Sequence, residues 1–455
     1  MGYLSRTGGV TAVTFAVAMA TVATSLLSPT VAKAQVRMTV PPQSEAVALR
    51  GATIHTVTNG VIENGTILFE NGVIRAIGTD VEIPTGTRVV DVSGKHIYPG
   101  LIDAYSTVGI SEIGSVDVSS DVNELGDFNP NVRAEVAVNA ESRHIGTTRS
   151  AGVLVTLTTP EGGLISGMSS AMSLEGWDWE EMSLESAAAL NVNWPNPNSR
   201  GGRGGRGRGF GPGPQESPPT YAEQVQQLKD FFAEARAYRD ATTAGEEVRT
   251  DSRYTAMIPA LNREIPVVVS ADGAAQINDA ITWAQQEGVR LVIRGGGDAI
   301  HVADRLVAND IPVILTSTMA APGRDYEGYD GAYTMPARLH EAGVRFAISG
   351  GSGALYTNRL PWEAGVAVAF GLPEEEALKA VTINAAEFMG ISDRVGSLEP
   401  GKQATLLITT GTPLDMTSDI EQSYIQGREI DMNDIQKHFF DKYMEKVRQN
   451  RRVVS

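Results

Sequence analysis

The sequence predicts an α/β protein in which a barrel of strands and helices accompanies a small β-rich domain. From about residue 97 onward, short apolar runs that end in turn residues or glycine alternate with helical patterns. That alternation is typical of a parallel sheet covered by helices. With this many repeats a closed (β/α)8 TIM-like barrel is favoured. The alternative is an open doubly wound sheet, but the Gly-x-Gly-x-x-Gly fingerprint of that fold is missing.

The predicted barrel elements follow from these apolar runs. The runs cover residues 152–157, 265–269, 290–293, 311–315 and 344–348. Helical patterns separate the later runs and cover residues 274–287, 299–308 and 335–342. Residues 195–219, rich in Pro, Gly and Arg, are predicted to be a disordered surface loop, and residues 433–455 a charged, amphipathic terminal helix.

The β-rich domain is predicted from residues 35–96. Short strands with β-branched or alternating residues are expected at 52–57, 66–69 and 73–77. Asn-Gly pairs at 59–60, 64–65 and 71–72 separate them, and Asn-Gly is the strongest short signal for a β-hairpin.

The first 34 residues are typical of a signal peptide. Arg6 precedes an uncharged stretch over residues 8–27, and Ala32-Lys33-Ala34 has the small-x-small pattern of a cleavage site before Gln35. We therefore expect an exported protein, periplasmic or extracellular. No later segment is long and apolar enough to predict stable insertion into a membrane.

The composition excludes several classes of function. The chain carries a formal charge of −17, and loss of the two positive charges in residues 1–34 would make it −17 − 2 = −19. A general surface of this charge is not expected to bind nucleic acid or anionic lipid. There are no cysteines, so disulfides, thiolate nucleophiles and cysteine-ligated zinc sites are excluded.

Three motifs occur in a defined order along the chain. They are Tyr98-Pro99-Gly100-Leu101-Ile102-Asp103-Ala104, the segment from Gly371 to Glu387, and Val395-Gly396-Ser397-Leu398-Glu399-Pro400-Gly401-Lys402. Together they resemble the metal-dependent amidohydrolase superfamily, and most closely its imidazolonepropionase-like branch. The resemblance implies a barrel over residues 97–394, and a small composite β-sandwich that adds residues 395–432 to residues 35–96.

The same resemblance implies a hydrolytic metal site, from which this sequence departs. At the positions where the family carries its metal-binding His and Asp residues, the chain has Tyr105, Thr107, Ser270, Gly295 and Gly351. A hydrolytic metal needs several imidazole or carboxylate ligands and an open position for water. We therefore expect no metal cofactor and, as the first hypothesis, a degenerate, non-catalytic family member. It would act as a partner of an active relative, as a homo-oligomer, or as a small-molecule binder.

Other residues keep alternatives open. A polar small molecule could be bound by residues near predicted strand ends, namely Asp272, Arg294, Asp298 and Arg359. The second hypothesis is an active hydrolase of carbon–nitrogen bonds that uses a divalent metal or a carboxylate pair in the acidic loop after the first barrel strand. Its candidates are Glu112, Asp117, Asp121, Glu124 and Asp127. A third hypothesis is a binding module formed by the Arg/Gly-rich loop.

Overall fold

The computed structural model describes residues 39–197, 219–324, 327–351 and 353–454. The predicted signal peptide and most of the predicted loop at 195–219 lie outside these residues. None of the helices within the described ranges is long and apolar enough to cross a membrane.

One eight-stranded sheet combines strands from both ends of the chain. From the N-terminal side come β1 (Val47–His55), β2 (Val61–Glu70), β3 (Val73–Gly78), β4 (Arg88–Asp91) and β5 (His96–Pro99). The C-terminal side adds β14 (Leu406–Thr409), β15 (Ile420–Ile425) and β16 (Arg428–Glu429). The strand order is β16-β15-β14-β5-β1-β2-β3, and β4 pairs with β1. Apolar side chains on one face, including Leu49, Ile67 and Phe69, are fully buried.

The Asn-Gly pairs play different parts in this sheet. Asn71 and Gly72 both have positive φ, +53° and +77°, and form the tight turn between β2 and β3, as predicted. The hairpin predicted at Asn64-Gly65 is wrong, because both residues lie inside β2. Gly65 pairs with Ala52 of β1, at an irregularity in the register. Strand β2 therefore continues past Asn64-Gly65, and the positive φ of Asn64 belongs to a β-bulge.

The second sheet contains the predicted barrel strands. It comprises β6 (Leu101–Ser106), β7 (Val153–Thr158), β8 (Ile165–Ser173), β9 (Ser183–Asn193), β10 (Val267–Ala271), β11 (Leu291–Gly295), β12 (Val313–Leu315) and β13 (Phe346–Ile348). Neighbours in the sheet are neighbours in the chain. Side chains join its two edges, since Ser349 Oγ donates to the Tyr105 carbonyl over 2.8 Å. The TIM-like barrel predicted from the sequence is confirmed.

The helices alternate with the later strands. Before β10 come α1 (Arg143–Ser150), α2 (Trp179–Met182), α3 (Tyr221–Thr243) and α4 (Ser252–Leu261). After it come α5 (Ala274–Glu287), α6 (Ala303–Ala308), α7 (Gly331–Glu341), α8 (Leu360–Ala369), α9 (Glu374–Ala380), α10 (Ile383–Phe388) and α11 (Ile435–Val454).

One strand departs from the (β/α)8 repeat. β8 is antiparallel to both β7 and β9, whereas the other barrel pairs are parallel. Only residues 159–164 connect β7 to β8, too few for the crossover that a parallel pair requires. Gly162 and Gly163, with φ of +83° and +60°, reverse the chain there. The sequence alone gave no indication of β8 as a strand.

Candidate functional site

The barrel interior is apolar in one layer and polar in the next layer toward the carboxyl ends of its strands. Val268, Val292 and Ala347 belong to a buried apolar cluster of strand residues. Two positions further along stand Ser270 in β10, Arg294 in β11 and Ser349 directly after β13, and side chains two residues apart share a face of a strand. The polar layer therefore lies at the end of the barrel where active sites of this architecture are found.

Arg294 is the central charged group of this polar layer. Its side chain is only 7% exposed. Nε and Nη2 donate to Ser270 Oγ over 3.2 and 3.0 Å, and Nη2 also lies 3.3 Å from Asn193 Oδ1. The guanidinium carbon lies 4.2 Å from the centre of the Tyr105 ring. Contacts with β6, β9 and β10, made from β11, place the guanidinium inside the barrel mouth.

The guanidinium of Arg294 is incompletely satisfied. Its Nη1 atom is buried and has no hydrogen-bond partner among the described residues. Arg294 also forms no ion pair with any residue that the structure describes. Buried cations are normally paired with a carboxylate, because removing an unpaired charge from water costs several kcal/mol. The Tyr105 ring compensates only part of this, since a cation–π contact contributes about 0.5–2 kcal/mol.

Tyr105 links this cation to a carboxylate. Its hydroxyl donates to Glu161 Oε1 just after β7. Burial raises the pKa of Tyr105, the charge of Arg294 lowers it, and the nearby Glu161 carboxylate raises it, with a net upward shift. The phenol therefore stays protonated at neutral pH and holds Glu161 at the edge of the mouth.

The residues at the expected metal-ligand positions have other structural roles. Ser270 accepts from Arg294, and Tyr105 is bonded to Glu161. Thr107 is buried where the chain leaves β6. Gly295 and Gly351 have φ of +97° and +112°, a region that side-chain-bearing residues rarely adopt. Among the residues that the structure describes, no three His, Cys, Asp or Glu side chains come together as a metal site would require.

The backbone at Gly295 is adapted to glycine. A Cβ atom at this position would lie 2.3 Å from Asp272 Oδ1. We expect Gly295→Ala to lower the free energy of unfolding by about 1–3 kcal/mol, because it combines this clash with a strained φ. Gly297→Ala is the matched control, since its Cβ would meet only ordinary contacts at 3.7 Å and beyond. Urea denaturation measures both, and equal stability of the two variants would contradict the prediction.

A cavity of about 640 Å³ lies at the ends of β10, β11 and β12. Asp272, Gly295, Asp298 and Arg324 line it together with apolar residues that include Leu315 and Met335. Arg324 Nη1 donates to Asp298 Oδ1 over 2.9 Å. Burial opposes the ionisation of Asp298, but the bonds from Arg324 and from the Ala274 amide outweigh it and hold the pKa of Asp298 below its usual range. The cavity is thus lined by both charged and apolar side chains.

Glu363 of α8 shapes one wall of this cavity. Its carboxylate accepts from the Thr318 amide over 2.6 Å, the Met319 amide over 3.1 Å and the Thr318 hydroxyl over 2.7 Å. These bonds fix the loop after β12, whose residues Thr316 and Ser317 line the cavity. Glu363 therefore positions the loop and does not itself line the cavity.

The remaining sequence candidates lie apart from this cluster. Arg359 is exposed, stacks 4.4 Å from the centre of the Tyr356 ring and does not line the cavity. In the acidic loop, Glu112 is half-buried and its carboxylate accepts from the Asn139 amide over 3.3 Å. The other four acidic residues of the loop are exposed, and they are Asp117, Asp121, Glu124 and Asp127.

Several contacting residues were not found by sequence reasoning. Glu161 and Asn193 meet Tyr105 and Arg294 only through the strand order, because they lie far away in the chain. His55 and His96 also come together, with Nε2 and Nδ1 3.0 Å apart, although 41 positions separate them. This pair belongs to the small sheet, where burial and the neighbouring His96 lower the pKa of His55 to about 4.

Comparisons with known proteins agree on one family. The Amidohydrolase family profile matches residues 328–440. The imidazolonepropionase of Geobacillus kaustophilus is 27% identical over 390 residues, covering 77% of this chain and 84% of the relative. The imidazolonepropionase of Symbiobacterium thermophilum is 25% identical over 381 residues, covering 76% and 84%. The crystal structure of an amidohydrolase from Thermotoga maritima superposes with a TM-score of 0.74 at 26% identity, covering 85% of this chain and 99% of that one.

Proposed function

The chain belongs to the amidohydrolase superfamily, on its imidazolonepropionase-like branch, and we propose that its barrel mouth binds a small molecule without metal-dependent hydrolysis. The observation that carries this proposal is the buried guanidinium of Arg294 in the barrel mouth, bonded to Ser270 and stacked on Tyr105. Fold alone does not fix function within a superfamily, so the site residues decide.

The donor groups in the mouth do not fit a hydrolytic metal. A zinc or similar ion requires imidazole or carboxylate ligands, whereas neutral hydroxyls and glycines stand at the expected positions. The positive charge of Arg294 adds a second obstacle, because it repels a dication at short range. Restoring a ligand side chain at Gly295 would also meet the Asp272 carboxylate. No step of the proposed function therefore passes through a metal.

The residues present are suited to binding. Arg294 supplies a fixed positive charge inside the barrel mouth, and the cavity at the ends of β10, β11 and β12, which Gly295 and Gly296 line and Arg294 does not, supplies apolar surface nearby in the chain. Concave sites with a few convergent polar groups on an apolar lining are the usual form of small-molecule sites. The second hypothesis, a metal or carboxylate pair in the acidic loop, has less support because its side chains are mostly exposed and do not converge.

Elemental analysis tests the proposal. The purified chain, expressed with zinc, manganese and iron in the medium, is expected to hold less than about a tenth of a metal ion per chain, because loss of the ligands removes most of the affinity. The same sample should not turn over imidazolonepropionate under conditions in which the Geobacillus kaustophilus imidazolonepropionase does.

One or two tightly held ions per chain, or turnover of that substrate, would overturn the proposal. The double variant Asp121→Asn, Glu124→Gln then becomes decisive. Loss of metal or activity in it would assign the chemistry to the acidic loop, and no change would place the ion elsewhere.

A further inference from the structure

We propose that Arg294 binds the carboxylate of a small organic anion inside the barrel mouth, with Nη1 as the donor. This inference rests on the proposed metal-free function and names the class of ligand. Within the part of the chain that the structure describes, Arg294 is a buried cation without an ion pair, and its Nη1 nitrogen has no acceptor.

The hydrogen bonds of Arg294 leave its Nη1 nitrogen for a ligand. Nε and Nη2 are used by Ser270 and Asn193. Nη1 carries two further N–H donors. A guanidinium stays protonated in proteins, so these donors cannot be removed by loss of a proton. The best compensation for both the charge and the missing acceptor is an anionic oxygen, because charge-assisted bonds are about twice as strong as neutral ones.

The residues around Arg294 hold its side chain in one position before a carboxylate binds. Ser270 accepts from two of its nitrogens, and the guanidinium carbon lies over the Tyr105 ring, 4.2 Å from the ring centre. A ligand therefore meets a cation whose rotamer is already fixed, and little side-chain entropy is lost on binding. Glu161 is bonded to the Tyr105 hydroxyl and forms no ion pair with Arg294.

The cavity at the ends of β10, β11 and β12 begins at the residues that follow Arg294 in the chain, although Arg294 itself does not line it. It is lined by Gly295 and Gly296, the two residues that follow Arg294, and by the apolar side chains Leu315 and Met335. The exposed Asp272 carboxylate on its wall disfavours a second negative charge at that position. One guanidinium and a nearby carboxylate therefore favour a monocarboxylate over a polyanion.

Acetate is a suitable first probe, with chloride at equal ionic strength as the control. In the metal-depleted full chain, the thermal unfolding midpoint should rise by about 1–2 °C when acetate is tenfold above its dissociation constant. Arg294→Met should abolish this rise. Arg359→Met, which removes an exposed arginine outside the cavity, should leave it unchanged.

A second measurement keeps the inference testable if the variant alters stability. Without acetate, Arg294→Met should unfold at a midpoint equal to or above that of the unchanged chain, since an unpaired buried charge is replaced by an apolar group of similar length. A purely structural arginine predicts a lower midpoint and no acetate dependence in either protein.

The outcomes separate this inference from the proposed function. Equal acetate responses in the unchanged chain and in Arg294→Met, or no response in a sample shown to be metal-free, would overturn the carboxylate site alone. Bound metal in the same sample would overturn the proposed function, whatever the acetate response.

Discussion

Glu175→Ala is expected to lower the free energy of unfolding by about 3–5 kcal/mol, because it removes a buried carboxylate that is ion-paired with the buried Arg149 guanidinium. The two side chains are 2% and 1% exposed and form a direct ion pair. Glu175 also accepts the Val40 amide over 2.9 Å, and Arg149 Nη2 lies 3.4 Å from the Asp431 carbonyl. The pair thus connects the first described residues, α1 and the segment after β16.

Two control variants distinguish the charge effect from simple truncation. Glu429→Ala removes an exposed carboxylate that lies 2.7 Å from Arg88, and it should change stability by less than about 1 kcal/mol. The double variant Arg149→Met, Glu175→Met should recover much of the loss, since it removes both charges of the pair together. Denaturant titration measures all three, and a Glu175→Ala loss no larger than that of Glu429→Ala would refute the prediction.

The sequence predicts the regular part of the barrel because its strands are short, apolar and separated by helices. The helix at 274–287 was predicted with the bounds that the structure has for α5, and the runs at 265–269 and 290–293 became β10 and β11. The β8 strand was not predicted, since Ser166, Gly167 and Ser169 break its apolar pattern. Its burial depends on neighbours on both sides, which only the tertiary fold supplies.

The candidate site shows the same division between local and tertiary information. Arg294 and Asp272 were singled out because they stand at the end of predicted strands, and strand ends in barrels carry functional groups. Their partners Glu161 and Asn193 could not be found, because contact with them requires the strand order of the whole sheet. The φ of +97° at Gly295 could not be anticipated either, since glycine after a strand is compatible with many conformations.

The largest pH effect is expected from Asp103, an acid that the motif at residues 98–104 contains and the structure buries completely. Its carboxylate accepts the Tyr105 amide over 3.1 Å and the Gly350 amide over 3.3 Å, which joins β6 to the end of β13. Burial raises the pKa of Asp103 to about 7, although these hydrogen bonds lower it.

The direction of the stability change with pH depends on the pKa of Asp103 in the folded and in the unfolded chain. The unfolded chain loses this proton near the usual aspartate pKa of about 3.9, whereas the folded chain keeps it until about pH 7. Stability from Asp103 is therefore fully present below pH 4, falls as pH rises from 4 to 7, and stays low above pH 7. The contribution is on the order of 4 kcal/mol, from a difference of about three pKa units.

Asp103→Asn resembles the protonated acid and cannot ionise. It should therefore remove the decrease in stability between pH 4 and 7. The unfolding free energy of the variant should change less between pH 4 and 7 than that of the unchanged chain, and the variant should be the more stable protein above pH 7. Asp415→Asn is the control, because its exposed carboxylate has a pKa lowered by bonds from Thr417 and its loss should leave the slope between pH 4 and 7 nearly unchanged. If Asp103→Asn has the same pH slope as the unchanged chain, Asp103 is ionised throughout and the bonds from Tyr105 and Gly350 outweigh its burial.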